Sequence, residues 1–203
     1  MALEISRFFD YSEEKGNEYS ADEFAEYFRT FFADGVLAVN DTNLQVTASD
    51  AGLLVTVGYG AAIVQGYWYR LKDDSSGAKT LSIAAAHASL TRIDRVILRL
   101  DKSMAVSNVV LAVLAGTAAA SPAAPALTRE GNIYELSLAK VTVSPGVLSI
   151  TADKVTDERS DNSVCGMVEP LSIRNRMDQD VRTTASPTFN VLSATKVIGA
   201  VFQ

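Results

Sequence analysis

The sequence predicts a mainly β protein: a sandwich or barrel-like β domain with one N-terminal amphipathic helix and a short C-terminal connector. Three observations carry that expectation. A helix-start signal precedes a single run of aromatic residues at helical spacing. From about residue 40, short apolar runs alternate with turn residues. No strand pattern is followed by a helical one, so a parallel βαβ sheet is not expected.

The helix is predicted over about residues 20 to 34. Ser20-Ala21-Asp22-Glu23 has the spacing of a capping box, in which the serine oxygen accepts from the backbone of Glu23 while the glutamate reaches back. Phe24, Tyr27, Phe28, Phe31 and Phe32 follow on one side, and Gly35 supplies a stop. Such a stripe is too apolar for a water-facing helix, so it is expected to be covered by the domain or by another subunit. The segment through Asn17 has no long periodicity and reads as an extended arm or edge strand.

The β-rich region is predicted over about residues 40 to 155. Leu44 to Ala48 and Leu53 to Val57 flank Ser49-Asp50-Ala51-Gly52, and Ala61 to Val64 and Tyr67 to Leu71 flank Gln65-Gly66; both read as hairpins. Thr80 to Ile83, Asp94 to Leu100 and Asn108 to Leu114 continue the series. Ile133 to Val143 and Val147 to Thr151 then flank Ser144-Pro145-Gly146. Between Asp94 and Leu100 the parity puts Val96, Leu98 and Leu100 on one face and Arg95, Ile97 and Arg99 on the other. The arginine face is expected to be wet or to lie at an interface. Gly116 to Pro125, nearly all small residues and proline, reads as a loop.

Residues 1 to 165 are expected to form one domain and residues 166 to 203 a connector or oligomerisation segment. The connector holds Val181, Phe189, Val191 and Phe202, spaced among small polar residues without a helical stripe, so it must dock or pair with copies of itself. Three copies around one axis would bury these groups. Composition supports a folded core: 203 residues with 48% hydrophobic and 21% charged side chains are enough for one domain.

Charge is unevenly distributed. Residues 1 to 34 hold nine acids and three bases, whereas the remainder holds fifteen of each, so the whole net charge of −6 sits at the start. No basic face offers phosphate neutralisation, and nucleic acid is not an expected partner. The acidic segment could meet a basic partner or simply be solvated. The stretch Val109 to Leu127 is too weakly apolar and too broken by Pro122 and Pro125 to span a membrane, and the start lacks a secretory signal.

The sequence offers little catalytic chemistry, and neither an enzyme nor a cofactor is expected. His87, the single histidine, lies among alanines and reads as structural; Cys165, the single cysteine, reads as a buried inert thiol. Zinc sites of the usual Cys/His kind cannot be assembled within one chain from one of each. Asp153, Asp157, Glu158 and Asp161 alternate with Lys154 and Arg159, which favours ion pairs over a glycosidase pair. Gly58-Tyr59-Gly60 lacks the helix and Lys-Ser/Thr of a phosphate loop and reads as a strand bend. Tyr59, Tyr67, Trp68 and Tyr69 could form a sugar-stacking platform, with core and interface packing as the competing reading.

An ordered series of segments is more specific than any one motif. Tyr19 to Phe24, "FFADGVL" of 31 to 37, "GYGAAIVQGYWY" of 58 to 69, "RIDRVILRLD" of 92 to 101 and "YELSLAKVTVSPGVLSITADKVTDERSD" of 134 to 161 resemble the N-terminal domain of tailed-phage baseplate upper proteins. Separately, residues 180 to 200, "DVRTTASPTFNVLSATKVIGA", resemble strand-forming repeats of phage tail fibres. The resemblance implies a structural virion protein, assembled in the host cytoplasm, that attaches fibre or receptor-binding components to the tail as a homotrimer or other homo-oligomer. A short C-terminal region in place of a long receptor-side one favours an adaptor. The alternative is a carbohydrate-binding host-recognition tip module. Expected contact residues are Phe24, Tyr27, Phe28, Phe31, Arg95, Arg99, Val181, Phe189, Val191 and Phe202.

Overall fold

The computed structural model describes residues 19–38, 41–49, 51–72, 78–103 and 105–168. The N-terminal arm through Asn17 and the connector residues Val181, Phe189, Val191 and Phe202 lie outside them. Among the described residues the fold is mainly β, with twelve strands in three sheets and one N-terminal helix. In chain order the elements are α1 (Ala21–Arg29), β1 (Gly35–Leu37), β2 (Val46–Ser49), β3 (Leu54–Val57), β4 (Gly60–Val64), β5 (Tyr67–Leu71) and β6 (Lys79–Ser82). There follow β7 (Arg92–Asp101), β8 (Asn108–Leu114), β9 (Arg129–Glu130), β10 (Ile133–Val143), a 3-10 turn (Ala152–Lys154), β11 (Val155–Asp157) and β12 (Met167–Val168).

The sheets run β12-β1-β4-β5, β11-β10-β7-β8 with β9 beside β10, and β2-β3-β6. Their inner faces meet in one core that includes Val36, Val55, Val57, Val64, Val96, Leu98, Leu136, Leu138 and Val141. Both expected hairpins form, β2 with β3 and β4 with β5. At the β4–β5 turn Gln65 and Gly66 both have positive φ, 51° and 79°, the left-handed pair that suits a two-residue hairpin.

The pairing of β7 with β10 is the longest in the fold, from Ile133 opposite Asp101 to Val143 opposite Arg92. A register shift between Ser137 and Ala139 leaves Leu138 as an extra residue, itself fully buried. This bulge moves the core-facing parity of β10 from Leu136 to Ala139, Val141 and Val143.

The expected parity of β7 holds on the core side, and on its second face the arginines are ion-paired within the chain. Ile97 is fully buried, Arg95 pairs with Glu158 at 2.5 Å, and Arg99 pairs with Glu135 at 2.7 Å. Glu158 also accepts from Lys140 and from the Ser137 hydroxyl. Glu135 accepts from the Thr128 backbone at 2.7 Å. Glu135 is the direct cross-strand neighbour of Arg99 on β10, and Glu158 follows edge strand β11, so the arginines are paired from within the chain. At one end of β7, fully buried Asp94 accepts from Arg92 and from the backbone of Gly116, and Arg92 donates on to Ala84 and Ala85.

Three other expectations are corrected. The helix ends at Arg29, because the Thr30 hydroxyl takes the Tyr27 carbonyl and the chain turns more tightly, with the Phe31 amide donating to Phe28. Gly35 starts β1 instead; with φ at 143°, an added Cβ would stand 2.3 Å from the Gly166 oxygen. Val147 to Thr151 is not a strand: Ile150 donates its amide to Gly52 and fills the core, Leu148 points into solvent, and β10 pairs with β11. The domain also runs past residue 165, since β12 pairs in parallel with β1, Val36 opposite Met167.

These buried charges predict an asymmetric response to neutralisation. Glu158→Gln should destabilise the protein by about 3 to 5 kcal/mol in urea unfolding, because Arg95 would keep its charge while losing its buried partner. Asp153→Asn, in an exposed pair with Lys154, should leave the urea midpoint unchanged.

Candidate interaction surface

Helix α1 is only nine residues long, too short to persist alone, and its attachment is narrow. Ser20 caps it as expected, accepting from the Glu23 amide at 3.3 Å while Glu23 accepts from the Ser20 amide at 2.7 Å. Ala25 is the buried residue of the helix. It lies on the β4–β5 turn so closely that a Cβ on Gly66 would meet the Ala25 oxygen at 2.0 Å. Polar bonds fix the edges: Arg29 donates to Gln65, Tyr67 donates to Asp22, and Lys102 lies 3.7 Å from Asp22. Asp34 accepts from both the backbone and the side chain of Gln65.

The aromatic stripe of the helix is therefore only partly buried. Phe24, Tyr27, Phe28 and Phe31 are each 41% to 45% exposed, and Trp68 is 61% exposed. Tyr27 packs edge-on to Phe31, with ring centroids 4.9 Å apart, and to Phe28 at 5.8 Å. The rings thus pack edge-on against one another. A groove of about 670 Å³ runs between the helix and the outer face of its sheet, with Phe24, Phe28 and Phe32 along one wall and Leu37, Ile63 and Trp68 across from them. The outer face of an antiparallel sheet is ordinarily polar. Here Ile63 and Leu37 make it apolar.

The four-aromatic platform does not form. Tyr67 and Tyr69 pack against the core, and strand alternation turns Trp68 the opposite way. Tyr59 sits at the bend between β3 and β4. Of the expected contact residues, Phe24, Tyr27, Phe28 and Phe31 come together on this surface. Arg95 and Arg99 are held in ion pairs elsewhere. Sequence reasoning missed the groove floor, although Gly60-Ala61-Ala62-Ile63-Val64 has no polar residue at any alternate position and so reads as apolar on both faces.

Beside Trp68, where α1 begins, a second and polar hollow of about 420 Å³ is lined by Asp22, Asp101, Lys102 and Asn108. The Tyr67 hydroxyl and Lys102 hold the Asp22 carboxyl below the usual carboxylate range, and Ser103 does the same for Asp101. Burial, reinforced by Asp22, pushes Tyr67 up to about 12.

The remaining reactive groups do not converge. Exposed His87 accepts the Ser89 and Leu90 amides at Nδ1. Cys165 is 4% exposed, and burial pushes its thiol up to about 12. Asp153 and Asp157 pair with Lys154 and Arg159. Among the described residues no three His, Cys, Asp or Glu side chains are grouped to hold a metal, and no helix is long and apolar enough to cross a membrane. Comparison with protein-family models, with curated proteins and with solved structures finds no match to this chain.

Two outcomes follow from this geometry. Phe28→Ala should cost about 1 kcal/mol in the isolated protein, well below the roughly 3 to 5 kcal/mol of a buried aromatic truncation, whereas Gly66→Ala should release the helix and lower its amide-exchange protection. Cys165 should resist iodoacetamide at pH 8 in the native protein and react fully in denaturant.

Proposed function

We propose that this chain is a structural component of a phage tail or baseplate, an adaptor through which fibre or receptor-binding parts attach to the tail, present in the virion as a homotrimer or other homo-oligomer. The observation that carries the reading is the cluster of half-exposed aromatics on α1. Large contiguous apolar surface is unfavourable in water unless a neighbour covers it, and aromatic residues are enriched where protein partners pack. When the helix is seated on the hairpin turn through the Ala25–Gly66 contact, its rings face one groove. Pairing of Asp157 and Glu158 within the chain is consistent with a non-catalytic part. The ordered resemblance of residues 19 to 161 to baseplate upper proteins supplies the setting. Assembly in the host cytoplasm with other tail proteins goes with it.

The test is incorporation. When the chain is produced with the other structural proteins of its phage, it should be recovered in purified particles. Phe24→Ser/Phe28→Ser/Phe31→Ser should remain folded by circular dichroism yet be lost from particles. Absence of the unaltered chain from particles would overturn the reading; retention of the folded triple variant would remove the aromatic face from it.

A further inference from the structure

We infer that the hollow between the start of α1, Trp68 and the end of the β7–β8 hairpin binds an uncharged pyranose sugar. This goes beyond the adaptor reading and rests on different groups. A pyranose has an apolar face of C–H groups and a rim of hydroxyls that both donate and accept. Its site therefore needs an aromatic surface beside mixed polar groups in a small concavity.

Each requirement has a named counterpart. Trp68, 61% exposed, supplies the aromatic surface. Asp22 and Asp101 accept, Lys102 donates, and Asn108 does both; all four line the same hollow of about 420 Å³, within the usual span of roughly 300 to 1,000 Å³ for small-molecule sites. The polar groups are also fixed in advance. Asp22 is held by the Tyr67 hydroxyl, and the Asp101 carboxylate accepts from the Ser103 amide at 2.8 Å. Asp101 and Asn108 are directly opposed across β7 and β8, which sets the carboxylate and the amide side by side. The Lys102 backbone donates to Asn132 at 2.9 Å. Groups already ordered lose little freedom when a ligand arrives.

Charge selects among sugars. Two carboxylates against one ammonium leave the hollow net negative, which repels sulfated, sialylated or phosphate-bearing glycans. The neighbouring aromatic groove does not offer the same chemistry, because its walls are Phe24, Phe28, Phe32, Leu37 and Ile63. Trp68 stands at the boundary of the two.

Trp68 is the single tryptophan of the chain, so intrinsic fluorescence reports on this position alone. The full chain is titrated with methyl glycosides of glucose, galactose, mannose, rhamnose, N-acetylglucosamine and N-acetylgalactosamine, and with sialic acid and glycerol phosphate as anionic probes. Saturation-transfer NMR gives a second readout that survives loss of the indole. At least one uncharged glycoside should shift Trp68 emission saturably. Trp68→Ala should abolish transfer to that sugar, and Asn108→Ala and Asp101→Asn should each weaken it about tenfold or more, with thermal unfolding unchanged. No saturable response across the uncharged panel overturns the inference, as does equal binding of an anionic probe or binding that persists in Trp68→Ala. Loss in Phe28→Ala with retention in Asn108→Ala would place the ligand in the aromatic groove and equally overturn it. Asn108→Ala, which lines the polar hollow and not the aromatic groove, should still enter particles, so failure here is separable from failure of the adaptor reading.

Discussion

The fold depends on how the charged face of the β7–β10 pair is neutralised. A sheet with Arg95, Arg99, Glu135 and Lys140 on one side would ordinarily leave that side in water. Instead Glu158 folds across it and accepts from Arg95, Lys140 and Ser137. Glu135 meanwhile binds Arg99 and the Thr128 amide. Breaking such a buried pair is costly even where the pair adds little net stability over an apolar substitute. Its consequence here is positional. The segment after Glu158 is led back across the sheet, where Arg129 holds the carbonyls of Ser163 and Val164, and from there Gly166 and β12 reach β1.

That closure reaches the interaction surface through β1. Val36 donates to Gly166 at 2.9 Å, and the next residue, Leu37, lines the aromatic groove. The close approach of Gly35 to Gly166 leaves no room for a side chain at that junction. The sheet under α1 is therefore set by pairing between the start and the end of the described domain, whereas the helix itself has a single buried residue and a few edge bonds. Few buried contacts place an element at the low-stability end of a structure. A helix with that little anchorage and that much aromatic surface gains much from a neighbour.

Local elements were legible in the sequence wherever a local rule governs them. The capping box at Ser20, the hairpin at Gln65-Gly66 and the core parity of Val96, Leu98 and Leu100 each follow from a few adjacent residues. The ends and the coverings were not. Thr30 ended the helix early because a side-chain bond competed with the stop at Gly35. Ile150 was drawn into the core by a bond to Gly52, nearly a hundred positions away, and so left no strand at 147 to 151. The arginine face looked wet because its partner Glu158 lies 63 positions from Arg95, a distance across which no periodicity speaks. The bulge at Leu138 could have been found: Leu136 and Leu138 fall on even positions and Val141 and Val143 on odd ones. Of the surface, the aromatic wall is visible in the helical spacing, whereas the apolar floor at Leu37 and Ile63 comes from two strands that only the fold brings together.

The two neighbouring hollows are tied mechanically as well as by position. Asp22 belongs to the first turn of α1, so its place beside Trp68 depends on the helix remaining seated on Gly66. Any occupant that packs on Phe24 and Phe28 makes contacts available only in the seated helix, and it shifts the population toward that state by its differential affinity. Seating the helix also holds Asp22 against Tyr67 and Lys102 and so completes the rim of the polar hollow. The coupling is reciprocal by thermodynamic necessity: a ligand that bonds to Asp22 in the hollow steadies the same helix and the aromatic face it carries. Trp68, which β5 supplies independently of the helix, is the fixed wall against which both changes are measured.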